Sequence, residues 1–342
     1  MNKISNELYV IVFFALITGV TGLFSVISTN PSKINGSLIT GSYQQNYEDK
    51  FIEKMPFYEN TREIYTALKL AIFNQATPEV LLTHHNWLFT MEEFKKPEME
   101  LVFSNEIVEV RDILFKQEIN LIPMIIPDKA RVYSDYLPRR RDEDIEVRYA
   151  RILEVLGQIG LPVIDLEHAL FNGRMEADTF MRTDTHWSVH GAAIAASTLA
   201  KTTGILASGT ANFETDYGPK APFDGDLLPF VDTGLLDNLI GIEKETIAVP
   251  LTTSTSSQAD LFGNSEIGIV LIGTSYSKRA EFNFSGFLQQ ETKLNVVNAS
   301  IEGLGPFQPM RDAIDNGLFQ EVNPKFVVWE IPERYIRSEA IK

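Results

Sequence analysis

The chain has 342 residues, 44% hydrophobic and 22% charged, with a formal net charge of -16 and no cysteine. That composition suits a globular protein with a sizeable core, and the length allows one large or two modest domains. It excludes disulfides and thiolate chemistry, argues against nucleic acid, whose phosphates need a basic face, and admits a polyanionic ligand only where basic residues cluster.

Residues 8–27, LYVIVFFALITGVTGLFSVI, carry no charge and are long enough to cross a bilayer as a helix. Lys3 precedes them, partly offset by Glu7. Two readings of residues 1–28 stand, an uncleaved transmembrane anchor and a cleaved signal peptide. The run is longer than a signal peptide's apolar core and Val26-Ile27-Ser28 is a poor cleavage site, so length favours the anchor. Either way the long remainder is expected outside the cytoplasm. Residues 29–50, rich in Ser, Asn, Gly and Gln, read as a tether, and 51–342 as the functional domain.

From Tyr47 to Phe73 the apolar pattern is helical, with a boundary at Pro56. Residues 84–89, HHNWLF, end in a short apolar run suited to a strand or buried turn. Ile107, Val110 and Leu114 predict a helix, and 121–126 a strand. Ile145, Tyr149, Ile152, Leu156 and Ile159 predict an amphipathic helix ending at Gly160, after which 162–164 restarts as a strand. Ser188 is placed to cap an Ala-rich helix running to about Lys201. Residues 204–265, irregular and rich in Gly, Thr, Ser and Asp, are too long for a plain connection and read as a surface insertion. Runs at 267–272, 294–297 and 326–331 predict three more buried strands, with a helix-compatible stretch at 278–289. Apolar strands alternating with helices predict an α/β fold: a mostly parallel sheet covered on both faces, with its chemistry in loops at the strands' carboxyl ends.

Ser275 lies in such a loop, in Gly273-Thr274-Ser275-Tyr276-Ser277. A strand–turn–helix exposes a nucleophile, although the motif is not GxSxG and a serine at such a turn also serves as a helix cap. Asp184 and His186, in Arg182-Thr183-Asp184-Thr185-His186-Trp187-Ser188, are two apart, so on an extended segment both side chains face one way. Together an Asp, a His and a Ser can make a hydroxyl nucleophilic at neutral pH. Trp187 beside them can shield the pair or stack on a sugar. His186 and His190 are spaced as helical metal ligands, but Trp187 stands where helical zinc hydrolases carry a glutamate, so no metal is expected. His84, His85 and His168 have no partners in sequence. Arg139-Arg140-Arg141 reads as a solvated run or a groove wall, with Lys278, Arg279, Arg311, Arg334 and Arg337 as other basic candidates near strand ends.

Asn86-Trp87-Leu88-Phe89, Ile126-Pro127-Asp128-Lys129, Thr183-Asp184-Thr185-His186-Trp187, Gly273-Thr274-Ser275-Tyr276-Ser277 and Trp329-Glu330-Ile331-Pro332-Glu333-Arg334-Tyr335 occur in one order along the chain. Together they resemble the alginate O-acetyltransferase family of bacterial exopolysaccharide machinery, in its short, membrane-tethered form. The resemblance implies an SGNH-hydrolase-like fold, circularly permuted because Asp-x-His precedes the serine. It implies Ser275 as nucleophile, His186 as base and Asp184 as its orienting acid, with Tyr335, Trp187, Arg334 and Lys129 as substrate-contact candidates. It further implies acetyl transfer to an exopolysaccharide hydroxyl at the periplasmic face of the inner membrane, beside other export and modification proteins. The donor would be a membrane-bound O-acyltransferase, with no diffusible cofactor. A polysaccharide O-acetyl esterase using the same triad is the alternative. A non-catalytic polysaccharide-binding scaffold is disfavoured, since it would have no need of Asp184, His186 and Ser275.

Overall fold

The structure, a computed structural model, describes residues 3–36, 42–73, 75–95, 103–255 and 267–336. Arg337, and the parts of the expected tether and insertion at 37–41 and 256–265, lie outside the described residues. The chain divides into two compact units, Met1–Asn74 with Asp232–Gly241, and Gln75–Val231 with Ile242–Lys342.

The first unit is helical, with helices Lys3–Ser28, Ser42–Glu53, Tyr58–Phe73 and Asp237–Ile240. Pro56 falls between two of them, as its missing N–H requires. The expected tether is helical from Ser42 onward. Tyr43, Tyr47 and Phe51 recur every four residues, the last two rings stacked at 6.4 Å, and Gln44 donates to Glu48 one turn on at 3.0 Å. On Lys3–Ser28 the side chains of Leu16, Val20, Leu23 and Ile27 are exposed. Among the described residues no helix is long and apolar enough to cross a membrane.

The second unit has strands β1 (Val80–Leu82), β2 (Leu88–Thr90), β3 (Asn120–Ile126), β4 (Phe213–Phe223), β5 (Glu245–Ser254), β6 (Ile267–Ile272), β7 (Asn295–Asn298) and β8 (Phe326–Pro332). Its central sheet has the order β3-β8-β6-β7 with every neighbour parallel. On β3, β6 and β8 the near-continuous apolar sequence follows from burial on both faces, whereas β7, expected to be buried, is the edge strand and only half-buried, with asparagine at both ends. Ile122, Met124, Ile126, Ile269, Leu271 and Val328 enter one core, with helices Leu166–Gly173, Val189–Thr202 and Phe284–Thr292. Leu121, Ile125, Val270, Ile272, Val327 and Trp329 enter the other, with helices Phe103–Phe115, Arg148–Gln158 and Phe307–Asp315. This is the two-residue period of a strand. Each such side chain contributes about 1.5–3 kcal/mol by leaving water.

Two expectations need correction. Residues 162–164 join no ladder: Pro162 lacks an N–H, and Asp165 already caps the next helix by accepting from the His168 N–H at 3.0 Å. The helix expected at 278–289 starts only at Phe284, because Asn283 takes a left-handed conformation, φ 52°. Within the insertion's described part lies an antiparallel pair, β4 with β5, in register from Phe213↔Ser254 to Phe223↔Glu245 with one shift between.

Candidate active site

Strand β6 ends at Ile272 and the chain turns at once through Gly273 and Thr274 into Ser275. A Cβ at Gly273 would overlap the Glu330 carboxylate and Cβ on β8, so only glycine allows this approach. Buried Glu330 Oε2 accepts the Thr274 N–H at 2.7 Å, and both its oxygens lie 3.0 Å from Thr274 Oγ1. Burial raises its pKa against those hydrogen bonds. Thr274 is the cap of the short helix Ser275–Lys278, accepting from the Tyr276 N–H at 3.4 Å, so the Ser275 hydroxyl is not used as a cap.

That hydroxyl lies 2.7 Å from His186 Nε2. Across the ring, Nδ1 lies 2.6 Å from Asp184 Oδ1, which also accepts the His186 N–H at 2.8 Å. Asp184 Oδ2 accepts the Asp226 N–H at 2.9 Å and an Arg279 N–H at 3.2 Å. Burial would raise the Asp184 pKa, but the imidazole and these backbone donors hold it down to about 2. An ionised Asp184 keeps the proton on Nδ1 and leaves Nε2 to accept from Ser275 Oγ–H. The imidazole is packed between Tyr276 and Phe282, at 4.7 and 5.6 Å between centroids.

Asp184, His186 and Asp226 offer ligand atoms within 4.8 Å of one another. Both Asp184 oxygens and Nδ1 are already engaged in the hydrogen bonds above, so the donor set is that of a proton relay. His190 makes no metal pair with His186; its Nε2 lies 3.2 Å from the Gly173 carbonyl.

A parallel α/β sheet with an acid–imidazole–hydroxyl line at its carboxyl edge can be compared with known proteins. A model of the family described as SGNH hydrolase-like domain, acetyltransferase AlgX, matches residues 80–333. The chain belongs to that family. It is 32% identical to a probable alginate O-acetylase AlgJ of Pseudomonas putida over 88% of this chain and 81% of that protein. The solved O-acetyltransferase domain of Pseudomonas putida AlgJ superposes with a TM-score of 0.67 at 33% identity, covering 75% of this chain and 92% of the domain. Pseudomonas aeruginosa AlgX, at 22% identity and TM-score 0.61 over 74% of this chain and 62% of its own, shares the fold.

The acetyltransferase-family chain brings its sequence blocks together under Asp184. Lys129 Nζ donates to the carbonyls of Leu88, Arg182 and Asp184 at 2.5, 3.0 and 3.0 Å, and lies over the rings of Trp87 and Phe89. Burial lowers its pKa to about 8. Lys129 is therefore an interior staple, not a sugar contact. Trp187 is also corrected: it is fully buried, edge-on to Tyr276 and tilted against Phe284, and cannot stack on a substrate. Arg334 packs over Tyr276 and Tyr335, with only 10% of its side chain exposed. Tyr335 is the most exposed of the four substrate candidates, at 36%. In the arginine run Arg139 and Arg140 are solvated while Arg141 is buried on Asp128 at 2.8 Å. Sequence reasoning missed Asp226, Glu245, Arg279's bond to Asp184, and Glu330.

Proposed function

We propose that this acetyltransferase-family chain moves acetyl groups onto hydroxyls of alginate or a similar exopolysaccharide through an ester on Ser275. The observation that carries this reading is the relay from Asp184 Oδ1 to His186 Nδ1 at 2.6 Å and from Nε2 to Ser275 Oγ at 2.7 Å. Ser275 Oγ attacks the donor's acetyl carbon as its proton passes to Nε2. The donor's leaving oxygen takes that proton, and acetyl-Ser275 remains. A sugar hydroxyl then gives its proton to Nε2 and attacks the ester, forming the sugar acetate and restoring Ser275. Asp184 stabilises the imidazolium in both halves.

Similarity to the probable alginate O-acetylases of Pseudomonas putida and Pseudomonas aeruginosa supports alginate as acceptor. Against the net charge of -16, exposed Lys278, three residues after the nucleophile, is a cation available to a polyuronate, and exposed Tyr335 is an available ring. The uncharged run at 8–27 is what supports an anchor, which would hold the functional domain at the periplasmic face with a membrane-bound O-acyltransferase as donor. Kinship to AlgX supports a place among exopolysaccharide modification proteins.

The test uses the full-length protein in detergent, 4-nitrophenyl acetate as donor, and alginate oligosaccharides as acceptor. The expected result is acetylated oligosaccharide with wild type and none with Ser275→Ala. Acetate release alone, whatever sugar is offered, contradicts transfer and favours an esterase.

A further inference from the structure

We propose that Asp226 and Glu245, from the two ends of the β4–β5 connection, are positioning residues that hold the Asp184–His186 pair, and that Asp226 also supplies negative charge to the His186 imidazole. The proposal rests on Ser275, His186 and Asp184 being the reacting groups.

The two threonines flanking Asp184 carry the argument. Thr183 gives both its N–H and its hydroxyl to Glu245 Oε2, at 2.7 and 2.6 Å, while Glu245 Oε1 takes the Arg182 N–H at 2.8 Å. Thr185 does the same with Asp226: its N–H goes to Oδ1 at 2.7 Å and its hydroxyl to Oδ2 at 2.5 Å. Each carboxylate thus grips one threonine twice. The Asp226 N–H returns a bond to Asp184 Oδ2, and the Leu227 N–H donates to the Thr183 carbonyl at 3.2 Å. Gly225 lies so close to Thr183 that a Cβ would overlap its carbonyl. From the opposite side Lys129 holds the carbonyls of Arg182 and Asp184, and the Tyr276 hydroxyl donates to the Thr185 carbonyl at 2.7 Å. Side-chain direction on an extended segment follows its backbone, so gripping 183 and 185 aims 184 and 186. This gives the insertion a function: it is the outer jaw on the acid–imidazole strand.

The charge argument is separate. Asp226 Oδ2 is 3.6 Å from His186 Nδ1. Asp184 and Asp226 face the imidazole through Nδ1, Ser275 faces it through Nε2, and the Tyr276 and Phe282 rings cover it, with buried Glu330 behind the Ser275 turn. The cations Arg279 and Lys129 bond to Asp184, not to the ring. A second carboxylate 3.6 Å from Nδ1 stabilises the positive charge that forms on the ring in the transition state.

The experiment measures kcat and KM against pH with 4-nitrophenyl acetate on the full-length protein. Asp226→Asn keeps an oxygen for the Thr185 N–H and removes the charge. The low-pH limb is expected to move down by on the order of one pH unit, and the plateau kcat to fall roughly tenfold at unchanged KM. Thr183→Val keeps the charge and removes one Glu245 grip: kcat is expected to fall about tenfold with the limb in place, and Thr183→Ser to restore it. An unmoved limb in Asp226→Asn overturns the charge role, and wild-type kcat in Thr183→Val overturns the grip. Ser275→Ala separates the levels. If it is inactive while these two variants behave as wild type, the triad stands and this proposal falls; if it retains activity, both fall.

Discussion

Two groups of charge, one fully buried and one partly so, sit at the carboxyl ends of the same sheet and are neutralised in opposite ways. Beyond β3 and β8, Asp128 and Glu333 are surrounded by guanidinium groups. Asp128 Oδ2 meets Arg141 and Arg148 at 2.8 and 2.6 Å, and Glu333 meets Arg131 and Arg148 at 2.6 and 3.2 Å. Burial would raise the Glu333 pKa, but Arg131 first and then Arg148 and Arg141 hold it below the usual range. Beyond β6, Asp184 and Asp226 are satisfied mainly by backbone N–H groups, a hydroxyl and an imidazole. For Asp226 burial, then the Asp184 charge, pushes the pKa up. The difference is what the partner can do. Arginine does not release its proton at any working pH, so the first group locks geometry. Imidazole exchanges a proton near neutrality, so the second can do chemistry.

The largest effects on activity should fall on the second group. Ser275→Ala and Asp184→Asn are each expected to lose on the order of 10⁴ in acyl transfer per molecule, and Ser275→Ala to do so with little change in melting temperature at pH 7; initial rates and thermal melts read both. Breaking the first group should do the reverse. Arg148→Met strips a donor from both Asp128 and Glu333, and denaturant unfolding is expected to show a loss of about 3–5 kcal/mol, with activity retained in the molecules that remain folded. A stability loss under about 1 kcal/mol there would erase the contrast.

A smaller effect follows from pH. Asp184 has a folded pKa of about 2, below its ordinary value, so its contribution to stability is present above pH 4 and is lost as pH falls through about 2. That contribution is on the order of 2 kcal/mol, and Asp184→Asn should lose the corresponding part of the acid slope. The smallest effect lies within one run of like residues. Arg139→Ala and Arg140→Ala, both exposed, should change stability by less than about 0.5 kcal/mol, while Arg141→Ala, buried on Asp128, should cost several-fold more.

The same contrast explains what the sequence made legible. The buried strands could be read because parallel strands covered on both faces are continuously apolar, and Ser275 because it follows one of them. Asp184 and His186 could be read because two-residue spacing places them on one side. Lys129 and Trp187 were expected at the substrate surface because residue type carries no information about depth; the structure puts one beneath Asp184 and the other in the core. Asp226 and Glu245 could not be found because they come from an irregular insertion and meet 182–185 only through the tertiary fold. One signal was present: threonine on both sides of Asp184 offers two hydroxyls, each able to share an acceptor with its own N–H.

The central claim is that acetyl is carried on Ser275. The measurement that tests it most directly is intact and peptide mass spectrometry of the full-length protein, quenched during turnover of 4-nitrophenyl acetate without a sugar acceptor. The account predicts one added acetyl group on the peptide holding Ser275, absent from Ser275→Ala and discharged when an alginate oligosaccharide is added. Acetyl on another residue, or turnover in Ser275→Ala at the wild-type rate, would contradict it.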